Sequence, residues 1–448
     1  MGSTTSNGSA RRQSGQALVL GLLLIVIASF LLLSVFSSGR VLATRQSLSD
    51  TADAAALSAA TWRARALNYI AYTNRAIVAQ EVALAQAVTI ASWSRYFESL
   101  ADNLEAVSSV YPPAAMVMSA VSAGASAGRE SAERAAQSEL AWRSDEQTGY
   151  KVWLERSQSW LLHSAEVFAL GAIANEVARA SDPRFFAFAL GDGGAFSSFT
   201  RRYESSEDRA RLREVVLASL DSFTGQNRSA DQRLPLPSSC VGRSADLDKW
   251  TLWLKRRGGT GLHESLETWS AIDTLSLHDW SPGGFLGLGG CRDREAIPLG
   301  WGGQGNPLAW NPAQTQSAQN NPTGTALATL SEAPQPSGLA GLASIRDLHE
   351  QSTQSESAAV SRLAVLARAE LVDARTADSL GVGAERLRLR DGSGSSRLWA
   401  LSAAEVYFSP PPEPSTPAQR PSLFSPFWQA RLIQPTEAQR AAAESYVR

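Results

Sequence analysis

Polar and apolar residues alternate or mix along most of this chain, and one block does neither. Ala17 to Phe36 contains no charged residue, and fifteen of its positions are Leu, Ile, Val or Phe. As a helix with a 1.5 Å rise, the block spans about 30 Å, the thickness of a hydrocarbon core. At about −0.3 to −0.6 kcal/mol for each such residue, insertion is favourable by roughly 5 to 9 kcal/mol. A core helix of a soluble protein rarely stays apolar on every face over this length. A cleaved signal peptide has a shorter apolar region, about 7–15 residues, ending at a small-x-small site. Val41-Leu42-Ala43 is a weak site of that kind, with Arg40 immediately before it. The pattern predicts a retained transmembrane helix over 17–36, preceded by a leader over 1–16. Arg11 and Arg12 precede the block, Arg40 and Arg45 follow it, and no second block like it comes later. The expected topology is a single pass through the inner membrane, with the leader cytoplasmic and the bulk of the chain periplasmic or extracellular.

Past the block the pattern turns helical. Apolar residues recur at Leu48, Ala52, Ala55, Ala59, Trp62, Ala66, Ile70, Ile77, Leu84 and Val88, with no Pro before Tyr111-Pro112-Pro113. This predicts one long Ala-rich helix continuing the membrane span, broken once at most. A second helical region runs from about 114 to 180, loosened near Gly124 and Gly128, and stops before Asp182-Pro183. The two form a helical hairpin or bundle over 37–182. A short helix over about 207–223 and a linker fill 183–239.

From 240 to 448 the texture becomes period-two. KWTLWLKRR, ETWSAIDTLSLHDW, SRLAVLARAELVDA, SRLWALSAAEVYF and FWQARLI alternate, are rich in Trp and β-branched residues, and are divided by Gly-rich turns. They predict an antiparallel sheet. Two Pro/Gly-rich insertions, about 302–341 and 409–421, read as long loops. A short helix ends the sequence. The fold class is α+β.

Composition narrows the chemistry. The 448 residues carry 41 basic and 43 acidic side chains, net −2. That balance argues against nucleic acid as a partner, since phosphate binding needs a concentrated basic surface. The four histidines, His163, His263, His278 and His349, show no ligand spacing with one another or with cysteine, so no metal and no cofactor is expected. There is no Gly-x-Ser-x-Gly elbow. Arg256-Arg257-Gly258-Gly259-Thr260-Gly261 lacks the Gly-Lys-Ser/Thr ending of a phosphate loop and reads as a hairpin turn. The acidic pairs Asp246/Asp248 and Asp145/Glu146 read as solvated surface. Cys240 and Cys291 would be free thiols in a reducing compartment and could pair in an oxidising one. Of 13 tryptophans, Trp250, Trp253, Trp269, Trp280, Trp301 and Trp310 crowd the middle of the chain. They are either the core of a small sheet or an aromatic contact surface.

The residues around the apolar block also resemble a family. RRQSGQALVLGLLL, the polar exit SSGR, and RQSLSDTADAAALSAA, with its core Asp53-Ala54-Ala55-Ala56-Leu57, are similar to the N-terminal region of TadG-like proteins of the tight-adherence (Flp) pilus system. NYIAYTNRAIVAQEVALAQAVTIASW, AEVYFSPP and SLFSPFWQARL resemble longer members. Type IV pilin precursors are cut after a Gly and carry Glu at the fifth mature position. With Gly15 as the cut site that position is Leu20, so prepilin-type processing is not implied. Some TadG proteins carry a von Willebrand A domain with an Asp-x-Ser-x-Ser metal site. Here Asp391-Gly392-Ser393-Gly394-Ser395 lies between two alternating segments, RLRLR and SRLWAL, and reads as a hairpin turn.

The resemblance implies an anchored structural component of a pilus or secretion machine. It would act by packing on machinery subunits, with the Ala-rich helix available for oligomerisation, and not by catalysis. The alternative is an anchored adhesion module binding a ligand through Trp250, Trp253, Trp269 and Trp280.

Overall fold

The computed structural model describes residues 14–109, 112–144, 150–190, 199–225, 227–266, 268–283, 290–305, 312–330, 345–349, 361–371, 374–375, 386–387, 397–411 and 419–447. Along the chain these form α1 (Ser14–Ser108), α2 (Pro112–Ser144), α3 (Tyr150–Ser164), α4 (Val167–Ser181), β1 (Phe185–Leu190), β2 (Thr200–Arg202), α5 (Ser206–Ala218) and β3 (Ala230–Pro237). Then come a 3₁₀ turn (Leu247–Trp250), β4 (Thr251–Leu262), β5 (Trp269–Pro282), β6 (Cys291–Gln304), α6 (Pro312–Asn320) and α7 (Pro322–Leu330). The rest is β7 (Arg346–Leu348), β8 (Ser361–Glu370), β9 (Ala374–Arg375), β10 (Arg386–Leu387), β11 (Arg397–Phe408), β12 (Trp428–Ile433) and α8 (Glu437–Val447). The fold is α+β, with a long N-terminal helix, further helices and antiparallel sheets toward the C-terminus.

The helix α1 organises everything else. Its 95 residues run unbroken for about 140 Å. No Gly or Pro interrupts it after Gly39, and Pro112 can only start a new helix, which it does at the first position of α2. The chain then folds back so that α2 lies antiparallel to α1. Arg95 meets Glu133 at 2.8 Å, Arg129 meets Glu98 at 2.6 Å, and Ser122 donates to Asp102 at 2.6 Å.

Two four-stranded antiparallel sheets stack along the same helix. The first has the order β1-β8-β11-β12, with Phe185 opposite Ala369 and Phe408 opposite Trp428. Its inner face (Leu363, Val365, Ala367, Ala404, Val406) packs on the α1 stretch Leu48–Ile70, joined by Leu170, Ala174 and Ala178 of α4. Its outer face packs on Ala443 of α8. The second sheet has the order β3-β4-β5-β6. It meets the next stretch of α1, where Ile77, Leu84 and Val88 pack with Leu262, Trp269 and Ala271 and with Leu212 and Val216 of α5.

The helix also closes sheet edges. Asn68 donates to the Trp428 carbonyl and accepts from the Trp428 N–H, both at 2.9 Å, as a neighbouring strand would. Along β6, Arg95 donates to Gly303 O, Ser99 to Trp301 O and Asn103 to Leu299 O, at 2.7, 2.8 and 2.9 Å. Four residues of helix rise about 6 Å and two of strand about 6.6 Å, so the two registers stay matched.

Several expectations are corrected. Arg256–Gly261 is not a turn but lies in the second half of β4, paired with Ser270–Leu275 of β5; the chain turns after it, where the Leu266 N–H bonds the His263 carbonyl. The span 302–341 is not one loop, because Gly302–Gln304 finish β6 and α6 and α7 follow, each opened by a proline. The span 183–239, read as helix and linker, also contributes β1 and β3 to the sheets. The hairpin expected around Asp391–Ser395 falls on residues outside the described ones. β10 pairs with β9, while β11 pairs with β8 and β12. Trp310 also lies outside the described residues.

Candidate functional site

Along α1 the environment changes once. Over 17–36 the apolar side chains face outward, with Leu18 and Phe30 each 72% exposed, and no other element among the described residues covers them. From Leu48 onward one face is buried. The stretch Asp53–Leu57 sits at the start of this face. Ala55 and Ala56 are fully buried against the first sheet, Asp53 is half-buried, and Ala54 and Leu57 point out. The small-residue face is therefore occupied by the chain's own strands. On this face alanines let a sheet approach closely, and this sheet has done so.

Polar residues set into that face latch distant segments to the helix. Arg63, fully buried, donates to Ala165 O and to Ser361 Oγ. Asn74 donates to Arg346 O at 2.7 Å and Leu423 O at 2.8 Å. Gln158 of α3 donates to Thr73 and Asn74. None of these was picked out from sequence. The available signal was a polar residue standing at a buried register of a helical pattern.

The expected aromatic set divides. Trp269 is fully buried and donates to Glu81 Oε2 at 3.0 Å, so it belongs to the core. Trp250, Trp253 and Trp280 are not fully buried and lie in or beside the outer half of the second sheet. Trp250 donates to Ser244 O, Trp253 donates to Asp248 O, and Lys249 Nζ sits 5.4 Å from the Trp280 ring centre. At the same end Cys240 and Cys291 form a disulfide, Cα atoms 6.2 Å apart, and Ser239 bonds Asp279 through its N–H and Oγ.

Two polar centres lie inside the second sheet. Asp273, fully buried, accepts from Arg228 Nε (3.1 Å), Arg228 Nη2 (2.8 Å) and Ser92 Oγ (2.9 Å), with Arg256 at 3.6 Å. Burial pushes its carboxyl above the ordinary range, against the pull of the two guanidiniums. Under α6 and α7, His278 bonds Asp293 at 3.0 Å and Asn321 at 2.9 Å, and Lys255 pairs with Asp293. Burial raises Asp293, but hydrogen bonds from His278 and Lys255 outweigh it and hold the carboxyl below its ordinary value. His263 bonds Ser265. Among the described residues no three His, Cys, Asp or Glu side chains gather as a metal site. Each centre ties one element to another.

This geometry defines a class: an α+β protein built on one continuous helix, whose first part is uncovered and apolar enough to cross a membrane and whose later part is the core of the body. Residues 15–64 match the Tad family model, described as Flp pilus-assembly TadE/G-like. The matched segment takes in the whole uncovered block and the first turns of the buried face, including Asp53–Leu57. No curated protein and no solved structure matches the chain.

Proposed function

We propose that the chain is a membrane-anchored structural and assembly component of a Tad/Flp-type pilus or a related secretion machine. Residues 17–36 hold it in the inner membrane, with the leader over 1–16 in the cytoplasm and the bulk of the chain outside. It works by packing against machinery subunits and not by catalysis. One observation carries this reading: α1 passes without a break from an apolar stretch that no described part of the chain covers to a stretch buried by two sheets. The disulfide between Cys240 and Cys291 agrees with an oxidising compartment for the body. The helical region 37–182, the segment 183–239 and the β-rich region 240–448 act as one body on that anchor.

Reporter fusions behind position 250 and alkaline washing of vesicles test the layout. The expected result is an exported reporter and a chain that stays with the membrane. A cytosolic reporter, or release of the intact chain, overturns it. N-terminal sequencing separates the alternatives further: a mature start at Thr44 removes the anchor, and a start at Gln16 shows prepilin-type processing. A second reading, adhesion to an external ligand, is favoured by the incomplete burial of Trp250, Trp253 and Trp280 at the disulfide-tied end.

A further inference from the structure

The face of α1 turned away from the sheets carries a row of its own. At 100° per residue, Tyr72, Ala79, Ala83, Gln86, Ile90, Phe97 and Leu104 fall within an arc of about 60°. All but Gln86 are apolar, and Tyr72, Ile90, Phe97 and Leu104 are 61, 44, 46 and 44% exposed. Scattered exposed apolar residues are ordinary on a protein surface, whereas a single stripe running about 48 Å along one helix marks a contact. The sevenfold spacing 83, 90, 97, 104 is that of a helix–helix seam. Phe97 is held ready in it by Trp93, ring centres 5.0 Å apart, and Trp93 in turn rests 5.4 Å from Phe223.

Part of the stripe is recessed. A groove of about 630 Å³ is floored by Ala79, Val82 and Ala83 and walled by Val215 of α5 and by Phe424. Small residues on the floor leave room for bulky knobs from a partner. The ends of the stripe differ in charge. Arg65 and Arg75 are exposed at one end, and among the described residues neither has a carboxylate partner; Arg75 only donates to the Phe424 carbonyl. Glu105 flanks the other end, likewise without a cationic partner among the described residues.

We propose that this stripe docks an amphipathic α-helix of a different subunit, apolar at heptad spacing, acidic where it meets Arg65 and Arg75 and basic where it meets Glu105. The proposal rests on the assembly reading and supplies its contact surface, replacing the alanine face that the first sheet already covers.

The test uses the full chain in lipid nanodiscs and a synthetic helical peptide. The peptide carries Leu at heptad positions, Glu at the end facing Arg65 and Arg75, and Lys at the end facing Glu105. Its twin has the charges exchanged. Fluorescence anisotropy is expected to show saturable binding of the first, with the twin weaker by about tenfold. Ile90→Asp and Phe97→Asp are each expected to weaken the first peptide by about tenfold or more, with the thermal melt unchanged for Ile90→Asp and lowered for Phe97→Asp only by the loss of its contacts with Trp93 and Tyr96. Absence of saturable binding, equal affinity of the twin, or variants that bind like the parent each overturns the proposal. So does sedimentation showing a dimer of the chain that Ile90→Asp dissolves, since a second copy would then cover the stripe. In cells, normal pili with both variants, where deleting the chain abolishes pili, overturns the docking surface and leaves the assembly reading standing. Normal pili after deletion overturns the assembly reading, and the peptide titration decides the surface by itself.

Discussion

At Gly302 of β6 the strand runs directly against the main chain of α1, and Gly302→Ala puts a number on that approach. A Cβ at this position would stand 2.1 Å from Ser92 O and 2.5 Å from Tyr96 N, both main-chain atoms of α1. Ordinary contact begins at 3.4 Å, so helix and strand must part by more than 1 Å. Overpacking of that kind costs about 1–3 kcal/mol. The separation also stretches the bonds that join α1 to β6: Arg95 to Gly303 O (2.7 Å), Ser99 to Trp301 O and from Trp301 N (2.8 and 2.7 Å), and Asn103 to Leu299 O (2.9 Å). Adding more than 1 Å takes each beyond useful length, at about 1 kcal/mol apiece. Partial yielding of the strand reduces the sum, and the expected loss is about 3–5 kcal/mol. Chemical denaturation measures the loss. Hydrogen exchange locates it, with protection expected to fall at residues 299–303 and not in the first sheet. The control is Gly124→Ala in α2, where a Cβ meets nothing within 4 Å and helix propensity predicts a gain of up to about 1 kcal/mol. If Gly302→Ala melts like the control and keeps its protection, the helix is not docked on β6 as described.

Three further outcomes are expected. Asp208 accepts from Arg201 Nη1 and Nη2, both at 2.8 Å, and these bonds with those from the Ser205 and Glu204 N–H groups hold its carboxyl well below the ordinary range. A depressed folded value stabilises where the group is ionised, so its contribution is complete above about pH 4 and fades as pH falls further. Asp208→Asn should therefore lose about 1–3 kcal/mol at neutral pH and flatten the acid limb of a denaturation series, and an unchanged limb counts against the assignment. Reducing the Cys240–Cys291 bridge, 51 residues apart in sequence, should cost about 4 kcal/mol by chain entropy, read as a lower denaturant midpoint in the presence of reductant. Leu23→Arg with Ile27→Arg should shift insertion by about 6–8 kcal/mol, enough to offset the favourable 5 to 9 estimated for the block. The doubly substituted chain is expected in the soluble fraction after alkaline washing, and its retention in the membrane would refute the anchor.

What the sequence reveals and what it hides follow from the range of the interactions. The long helix is legible because its evidence is local: Leu48, Ala52, Ala55 and Ala59 repeat at the helical period, and each is fully or nearly fully buried. The strands at 361–370 and 397–408 and the first half of 251–262 are legible from alternation. The glycine runs mislead for a physical reason. In Arg256–Gly261, glycine suggests a turn, yet a Cβ on Gly258 would lie 2.4 Å from Asp273 Oδ1 and 2.9 Å from Ile272 O, so glycine is there for close approach within a strand. β1 is missed because its partner β8 lies far along the chain, and no local pattern announces that pairing. The latches Arg63, Asn68 and Asn74 are equally invisible, since each acts on main-chain or hydroxyl groups of remote segments. Cys240 and Cys291 could be paired only once their Cα separation was known.

A single helix that runs from the uncovered apolar segment into the core of the body couples the two. The sheets do not close without it, because Asn68 completes the edge of β12 and Ser99 and Asn103 complete the edge of β6. An unpaired strand edge is a site of wrong association. The body is therefore protected only when residues 48–103 are helical and in register. Nothing flexible separates that stretch from the apolar block, since α1 has no break between Ser14 and Ser108. Any tilt or axial rotation imposed on residues 17–36 by a bilayer or a neighbouring helix is transmitted to both sheets as a rigid movement. The exposed stripe from Tyr72 to Leu104 turns with it, so the orientation of residues 17–36 sets where that stripe faces.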